Sequence, residues 1–203
     1  KEQNGGGVSP RLEVKYFSSD SAQTAPIAPT PAAQPPVRPA AQPVAPLPAG
    51  ADASVIVYTE SDKTIVNLNH LKKYPNLKNL NLTGCQSLTD ISAIRDLKQL
   101  EVVTFGSGAL ADLSPLRDCP QILKLYFGSC LLIKDISPLP NLKNLIALEF
   151  SGCPAISDLS PIAGMSQLEI FGINSCVTVK DISVNRNFKR LAQINLLTVA
   201  CDT

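Results

Sequence analysis

The sequence predicts an α/β solenoid of about seven units of 22–23 residues, with one parallel β-sheet on its concave face and short 3-10 helices or loops as return segments. Three observations predict it. The chain repeats itself from residue 54, apolar residues recur at fixed places within each repeat, and short Ser-Pro turns follow them. One unit cannot bury its apolar edge alone, whereas stacked units share a continuous core with strands about 4.8 Å apart.

Each unit begins with a short predicted strand. Its first, fourth and sixth places are apolar, as in Leu77, Leu80 and Leu82. Because side chains alternate along a strand, the third and fifth places face away from the core. We call these outward side chains, together with the second place of each unit, the strand face. Alignment on the leading residue gives units that start at Ser54, Leu77, Leu100, Ile122, Leu145, Leu168 and Leu191.

The ninth place is a cysteine in most units. Zinc ligands must converge on one point, whereas these cysteines lie one repeat apart and point the same way. Stacked Cys130, Cys153 and Cys176 fall within disulfide range, but parallel side-chain vectors fit the disulfide dihedral angle poorly. We therefore predict that each thiol fills a small inward space and donates weakly to a carbonyl, with no metal and no cofactor. The ninth-place residues are Cys85, Gly108, Cys130, Cys153, Cys176 and Val199.

Three further residues are an alanine at a core place and the two cysteines outside the ninth place. In the short third unit, Ala111 holds the twelfth place, which is apolar in the complete units. Cys119 occupies a place that is apolar in the other units, which predicts a core position. Cys201 lies past the last complete register, so its exposure, reactivity and redox state stay open.

An aspartate recurs at one place before each return segment. A column of carboxylates raises the question of calcium, but each one precedes an apolar residue and then a serine at the turn. This order predicts turn-capping carboxylates at a solvated corner. In "LSPL" and "ISPL" the serine is also predicted to cap the helical turn, with proline at its first position. The column consists of Asp90, Asp112, Asp135, Asp158 and Asp181.

The one histidine is His70, on the return side of the diverged first unit. Ser–His–Asp and Cys–His mechanisms need a base beside a nucleophile, and the sequence indicates none there. The sequence also has no glycine-rich phosphate loop. We predict that His70 lies at the surface or in the cap, that the chain has no catalytic residues and that it is not an enzyme.

The apolar pattern resembles the leucine-rich repeat family, L-x-x-L-x-L-x-x-N/C-x-L, over about 150 residues. The phrases "DLSPL" at 112–116, "DISPL" at 135–139 and "DLSPI" at 158–162, with "NLKNL" at 141–145, resemble bacterial internalin-type repeats. Those usually have about 22 residues and Asn at the ninth place. Here 23 residues and Cys prevail, which is similar to cysteine-containing repeats.

Composition divides the chain at about residue 50. Nine of the 23 residues from 26 to 48 are proline, which favours an extended polyproline II spacer over an SH3-type ligand. We predict a flexible arm at 1–25, a Pro/Ala-rich linker at 26–50 and the repeat domain at 51–203, with a diverged first unit as cap and a truncated last unit. Within the arm, Leu12–Phe17 is either a strand that adds to a partner's sheet edge or a short apolar stretch.

Charge and hydropathy exclude two classes of partner. The chain has 18 Lys and Arg against 17 Asp and Glu, so it has no basic excess to attract nucleic acid or anionic lipid. No apolar run approaches the roughly 20 residues of a membrane helix. We therefore predict no nucleic-acid partner and no membrane insertion by these residues.

The strand face is predicted to bind a protein. Its middle combines aliphatic side chains with Tyr126, Lys124 and Glu149, a mixture typical of a protein-binding hot spot. The alternative is that some of these residues only support the sheet and its turns. The candidate binding residues are Asn79, Asn81, Val102, Thr104, Leu123, Lys124, Tyr126, Ile146, Glu149, Ile170, Gln193 and Asn195.

Three functions follow from these observations. The first is a non-enzymatic interaction module of the bacterial periplasm or cell envelope, which scaffolds a partner complex through the strand face and is tethered by the linker. The second, implied by the internalin resemblance, is a secreted virulence factor that binds a host protein. The third is the recognition arm of a larger enzyme.

Overall fold

The computed structural model describes residues 56–197. The predicted arm, the linker, Leu12–Phe17 and Cys201 lie outside the described residues. Within that range the chain forms one parallel sheet of seven strands in sequential order, which confirms the predicted solenoid. The strands are β1 Val57–Thr59, β2 Asn79–Thr83, β3 Val102–Gly106, β4 Lys124–Gly128, β5 Ala147–Ser151, β6 Ile170–Asn174 and β7 Gln193–Leu197.

Short 3-10 helices connect consecutive strands, as predicted. They occupy the return side, opposite the sheet. Each of the first five buries one or two apolar residues. None of the helices formed by residues 56–197 is long and apolar enough to cross a membrane. The helices are Asn69–Lys73, Ser92–Asp96, Ser114–Asp118, Leu139–Asn141, Ser160–Ile162 and Ser183–Asn187.

The aspartate column caps the turns that lead into these helices. Asp112 Oδ1 accepts a hydrogen bond from the backbone N–H of Ser114 at 2.8 Å, and the Ser114 hydroxyl donates to Oδ2 at 3.0 Å. The prediction of capping carboxylates is confirmed, but the prediction that serine is the cap is wrong, because serine donates to the aspartate. The same backbone bond runs at 2.7–2.8 Å from Ser92 to Asp90, Ser137 to Asp135, Ser160 to Asp158 and Ser183 to Asp181.

The strand register agrees with the predicted units from β2 to β7. The first unit is the exception, because Val57 pairs with Asn79 and Tyr58 with Leu80. This unit therefore starts one residue later than predicted, and Tyr58 faces the core instead of the strand face. The ring centroids of Tyr58 and Tyr74 lie 5.2 Å apart, and both rings help to cover the end of the core at the first unit.

The short third unit also differs from the prediction. Ser107, not Gly108, turns inward, where it is fully buried and donates a 2.9 Å hydrogen bond to the carbonyl of Leu88. Leu110 then takes the buried apolar place assigned to Ala111, which is exposed. A hydroxyl with its own acceptor thus replaces the thiol of the other units, as a buried polar group requires.

The core is a continuous apolar column with an aromatic centre. The rings of Phe105, Phe127 and Phe150 stack at centroid distances of 5.4 and 5.1 Å. Such pairs contribute about 0.5–1.5 kcal/mol beyond the burial of their area. The core therefore couples β3, β4 and β5 more strongly than burial alone would.

The cysteines fill the inward turns as predicted. All five described cysteines, including Cys119, are free and buried. The thiol of Cys85 donates to the carbonyl of Glu60 at 3.2 Å, and that of Cys176 to Asn174 at 3.4 Å. Burial raises the pKa of Cys85 and of Cys119 to about 11, which keeps both thiols neutral at pH 7.

Candidate functional site

The register places ten of the twelve predicted binding residues in two adjacent columns of the strand face. The third-place column is Asn79, Val102, Lys124, Ile170 and Gln193, with Ala147 between Lys124 and Ile170. The fifth-place column is Asn81, Thr104, Tyr126, Glu149 and Asn195, with Gly172 between the last two. The other two, Leu123 and Ile146, directly precede β4 and β5. Asn79 and Gln193 are exposed, and the other ten are half-buried.

The β5–β7 side of this face is covered by its own side chains. A Cβ on Gly172 would lie 2.8 Å from Glu149 Cγ, so the side chain of Glu149 occupies the space above this glycine. Its Oε1 accepts a 3.2 Å hydrogen bond from Asn195 Nδ2, and Asn195 Oδ1 accepts one of 3.0 Å from Gln193 Nε2. We call these three side chains the Glu149 network.

Strand β4 carries Tyr126 and Lys124 at the middle of the face. Burial and, second, the negative charge of Glu149 raise the pKa of Tyr126, so its hydroxyl stays protonated at pH 7. Lys124 is half-buried between Val102 and Ala147. No carboxylate in the described part of the chain forms an ion pair with Lys124.

The β3–β4 side ends in a cavity that the sequence analysis did not predict. The seventh place is glycine in both strands, at Gly106 and Gly128, so no side chain covers the strand ends. Beyond them lies a cavity of about 310 Å³, which we call the notch. The notch is lined by Gln86, Gly106, Gly108, Ser129 and Leu131.

Exposed leucines border the notch. Leu131 and Leu132 are each 52% exposed, and Leu131 Cδ1 lies 3.7 Å from the position of a Cβ on Gly108. Sequence reasoning missed them because it considered only strand places. The signal was present, since two consecutive units have glycine at the seventh place and the pair "LL" replaces "QS" of the second unit.

His70 lies apart from this face, in the 3-10 helix Asn69–Lys73 that follows β1. Its Nε2 is 3.8 Å from Glu60 Oε2, and the hydroxyl of Tyr58 donates to the same carboxylate oxygen at 3.2 Å. The ring of His70 lies 6.0 Å from that of Tyr58. His70 is therefore part of the first cap, as predicted, and the thiol of nearby Cys85 is held in its neutral form.

Solved structures share this arrangement of strands and turns. The internalin inlF from Listeria monocytogenes matches with a TM-score of 0.59 and 22% identity, over 74% of this chain and 50% of the internalin. The chain has the internalin-like leucine-rich repeat fold. It spans about half the length of that internalin.

A second internalin of the same species, internalin C2 (inlC2), matches with a TM-score of 0.45 and 20% identity, over 70% of this chain and 80% of the internalin. No family model matches the chain, and a search of curated proteins finds no similar sequence. The similarity to inlF therefore defines the fold, and the function has to be argued from the surface of this chain.

Proposed function

We propose that this chain is a non-enzymatic protein–protein interaction module of the bacterial cell envelope, which docks on or scaffolds a partner protein through the strand face. The observation that carries the proposal is the make-up of that face. Half-buried Tyr126 lies between Thr104 and Glu149 on the neighbouring strands, and half-buried aliphatic residues such as Val102 and Leu123 belong to the same strand face. An aromatic anchor in such surroundings is the usual composition of a binding hot spot.

The shape of the molecule supports a macromolecular partner. Repeat folds present an extended strand surface, and the candidate residues here span six adjacent strands. The notch, at about 310 Å³, is at the lower limit of the roughly 300–1,000 Å³ typical of small-molecule sites. The contacts of His70 and the neutral thiol of Cys85 favour a structural role for the polar cluster at the first cap.

The location on the envelope rests on two supports. The chain shares its fold with an internalin of a bacterium, and its sequence carries a Pro/Ala-rich segment suited to hold a domain at a distance. The complete reading frame tests this part of the proposal. A lipid-anchor leader agrees with the envelope, whereas a long catalytic extension would make the repeats the recognition arm of an enzyme.

Replacement of two central side chains tests the binding face. We expect Tyr126→Ala combined with Lys124→Glu to reduce cross-linked capture of the partner from the native source at least about tenfold, a loss of 1.4 kcal/mol or more. The free energy of unfolding should change by about 1 kcal/mol or less, because neither side chain belongs to the core. Capture is measured by quantitative mass spectrometry and stability by urea unfolding.

A return-side pair provides the matched control. Asn141→Ala with Lys143→Glu makes the same charge change at two exposed positions beside a 3-10 helix. This control should capture the partner like the unchanged chain. Equal capture by the strand-face variant would contradict the proposed function.

A further inference from the structure

We propose that Lys124 and the notch are the two ends of one docking groove, which takes an extended segment of the partner protein with an acidic side chain about four residues from a large apolar one. This inference rests on the proposed protein-binding function and defines the chemistry of the partner. The groove runs along β3 and β4 and is formed by Val102, Thr104, Gly106, Lys124, Tyr126 and Gly128, with the notch at its far end.

The floor of the groove is backbone at the end beside the notch. Because side chains alternate along a strand, the seventh place faces the same side as the third and fifth places. Gly128 therefore lowers the strand face at this point, and at Gly106 the backbone of β2 lies where a Cβ would be, whereas the seventh places of β2 and β5 carry Thr83 and Ser151. A glycine within a strand is a position where another backbone can approach closely.

The notch fits one large apolar side chain. Its volume of about 310 Å³ is small for a ligand pocket, and Leu131 forms an apolar wall. Leu131 and Leu132, each 52% exposed, extend the apolar surface beyond the cavity. Exposed aliphatic surface beside a concave site and within a polar surround marks an interaction site.

Lys124 supplies the charge that selects the other end of the segment. Two carboxylates of the strand face already have partners within the chain, since Glu101 pairs with Lys78 at 3.5 Å and Glu149 bonds to Asn195. Lys124 has no such ion pair with the described residues and is half-buried beside apolar Val102. A partner carboxylate would therefore gain a charge pair in a partly desolvated position.

The distance between the two ends sets the spacing in the partner. Gly106, which lines the notch, follows Val102, the register partner of Lys124, by four residues along β3, which is about 13 Å at about 3.3 Å per residue. An extended partner segment rises by the same amount per residue. Its acidic and apolar side chains therefore lie about four residues apart, on one face of the segment.

A displayed peptide library provides the probe. Random peptides of about 12 residues are selected against the full chain, and the enriched sequences are synthesised and titrated. We expect Asp or Glu about four residues from Phe, Leu, Met or Trp. The decisive variant is Gly108→Leu, because a Cβ there makes only ordinary contacts, 3.7 Å from Leu131 Cδ1, and its side chain fills the notch. It should weaken the peptide at least about tenfold.

Two comparisons show that the loss is specific to the groove. Gly164→Leu adds the same side chain on the return side, where a Cβ has no neighbour within 4 Å, and should leave peptide affinity unchanged. Lys124→Glu should also abolish peptide binding, and a peptide with Lys in place of its acid should bind this variant again.

The outcomes separate this inference from the proposed function. Selection without the acidic–apolar pair, selection without any enriched sequence, or equal affinity for Gly108→Leu and the unchanged chain would overturn the groove. The groove can fail these tests while Tyr126→Ala with Lys124→Glu still reduces capture of the native partner. In that case the chain binds its partner through the rest of the strand face. If the double variant captures the native partner as well as the unchanged chain does, the proposed function itself is contradicted.

Discussion

The two sides of the strand face differ in what covers their glycines. On β6, Gly172 leaves a space that the side chain of Glu149 fills and locks through its hydrogen bond to Asn195. At the end of β4, Gly128 leaves a space beside the open notch, since a Cβ there would meet only the carbonyl oxygen of Phe105, at 3.6 Å. A missing side chain therefore creates a groove in one place and a filled, polar surface in the other.

The length of the neighbouring side chain explains the difference. Glu149 is long enough to cross one strand, whereas Ser151, beside Gly128 on β5, is too short. The comparison teaches that a glycine opens a protein surface only where its neighbours on the sheet cannot reach across it. Two predictions test this and a third asks whether the turns of the two sides also differ; they run from the largest expected effect to the smallest.

The largest effect is expected at Gly106, where the backbone of β2 lies directly against the position of a Cβ. An added Cβ would lie 2.8 Å from Thr83 Cα, which cannot move as a side chain can. Gly106→Ala should therefore lower the free energy of unfolding by about 1–3 kcal/mol. Gly108→Ala, with its nearest contact at 3.7 Å, should change it by about 0.5 kcal/mol or less. Urea unfolding of both variants decides, and equal stability would mean that the floor of the groove is not fixed by β2.

A smaller effect is expected on the covered side. Gly172→Ala places its Cβ against Glu149 Cγ, so Glu149 must move and its bond to Asn195 breaks. We expect a cost of about 1 kcal/mol, the net worth of a typical hydrogen bond.

A double-mutant cycle isolates that contact. In a Glu149→Ala background the Cγ is absent and only the Cβ of residue 149, at 3.3 Å, remains close, so the further change Gly172→Ala should cost clearly less. Unfolding free energies of the four proteins give the coupling. The same cost in both backgrounds would show that Glu149 does not fill the space above Gly172.

The smallest effect concerns the turns, which should be alike on both sides. Hydrogen bonds from backbone N–H groups lower the pKa of Asp90 before β3 and of Asp181 before β7. A carboxyl whose folded pKa lies below its unfolded value contributes stability above the unfolded value, and this is lost as the pH falls through the folded pKa. Acid should therefore destabilise the turns through both residues.

Asparagine at these positions keeps the acceptor oxygen and removes the titration. Asp90→Asn and Asp181→Asn should each make the fall in the urea midpoint below about pH 4 less steep, and to a similar extent. The check is a series of urea midpoints from neutral to acid pH. A change in the slope for only one of the two would mean that the two sides differ in their turns as well as in their glycines.

Most of the fold could be predicted because the apolar pattern repeats with a constant step. That pattern correctly aligned Asn79 with Val102 and each later strand with the next. It was wrong at Tyr58 and at Ser107, where one residue is lost inside a loop. An apolar period shows that a residue is missing but does not show which of several small residues then turns inward.

The candidate site could be predicted only in part, for a related reason. The two columns of the strand face follow from alternation along strands, so Lys124 and Tyr126 fell in their proper places. The notch depends on the absence of a seventh-place side chain in both β3 and β4 and on the path of the shortened loop in the third unit. The cover that Glu149 provides over Gly172 depends on a rotamer, which a sequence pattern does not specify.

The stacked rings of Phe105, Phe127 and Phe150 have a consequence for how the molecule opens. In a linear array each unit contacts only its neighbours, so the tightest coupling lies between β3 and β5 and the terminal strands separate first. Amide hydrogens of the central strands should exchange with solvent only on global unfolding, and those of β1 and β7 much sooner. The groove is built on the slowest-exchanging part of the array, so a partner meets a surface that is already ordered and loses little conformational entropy on binding.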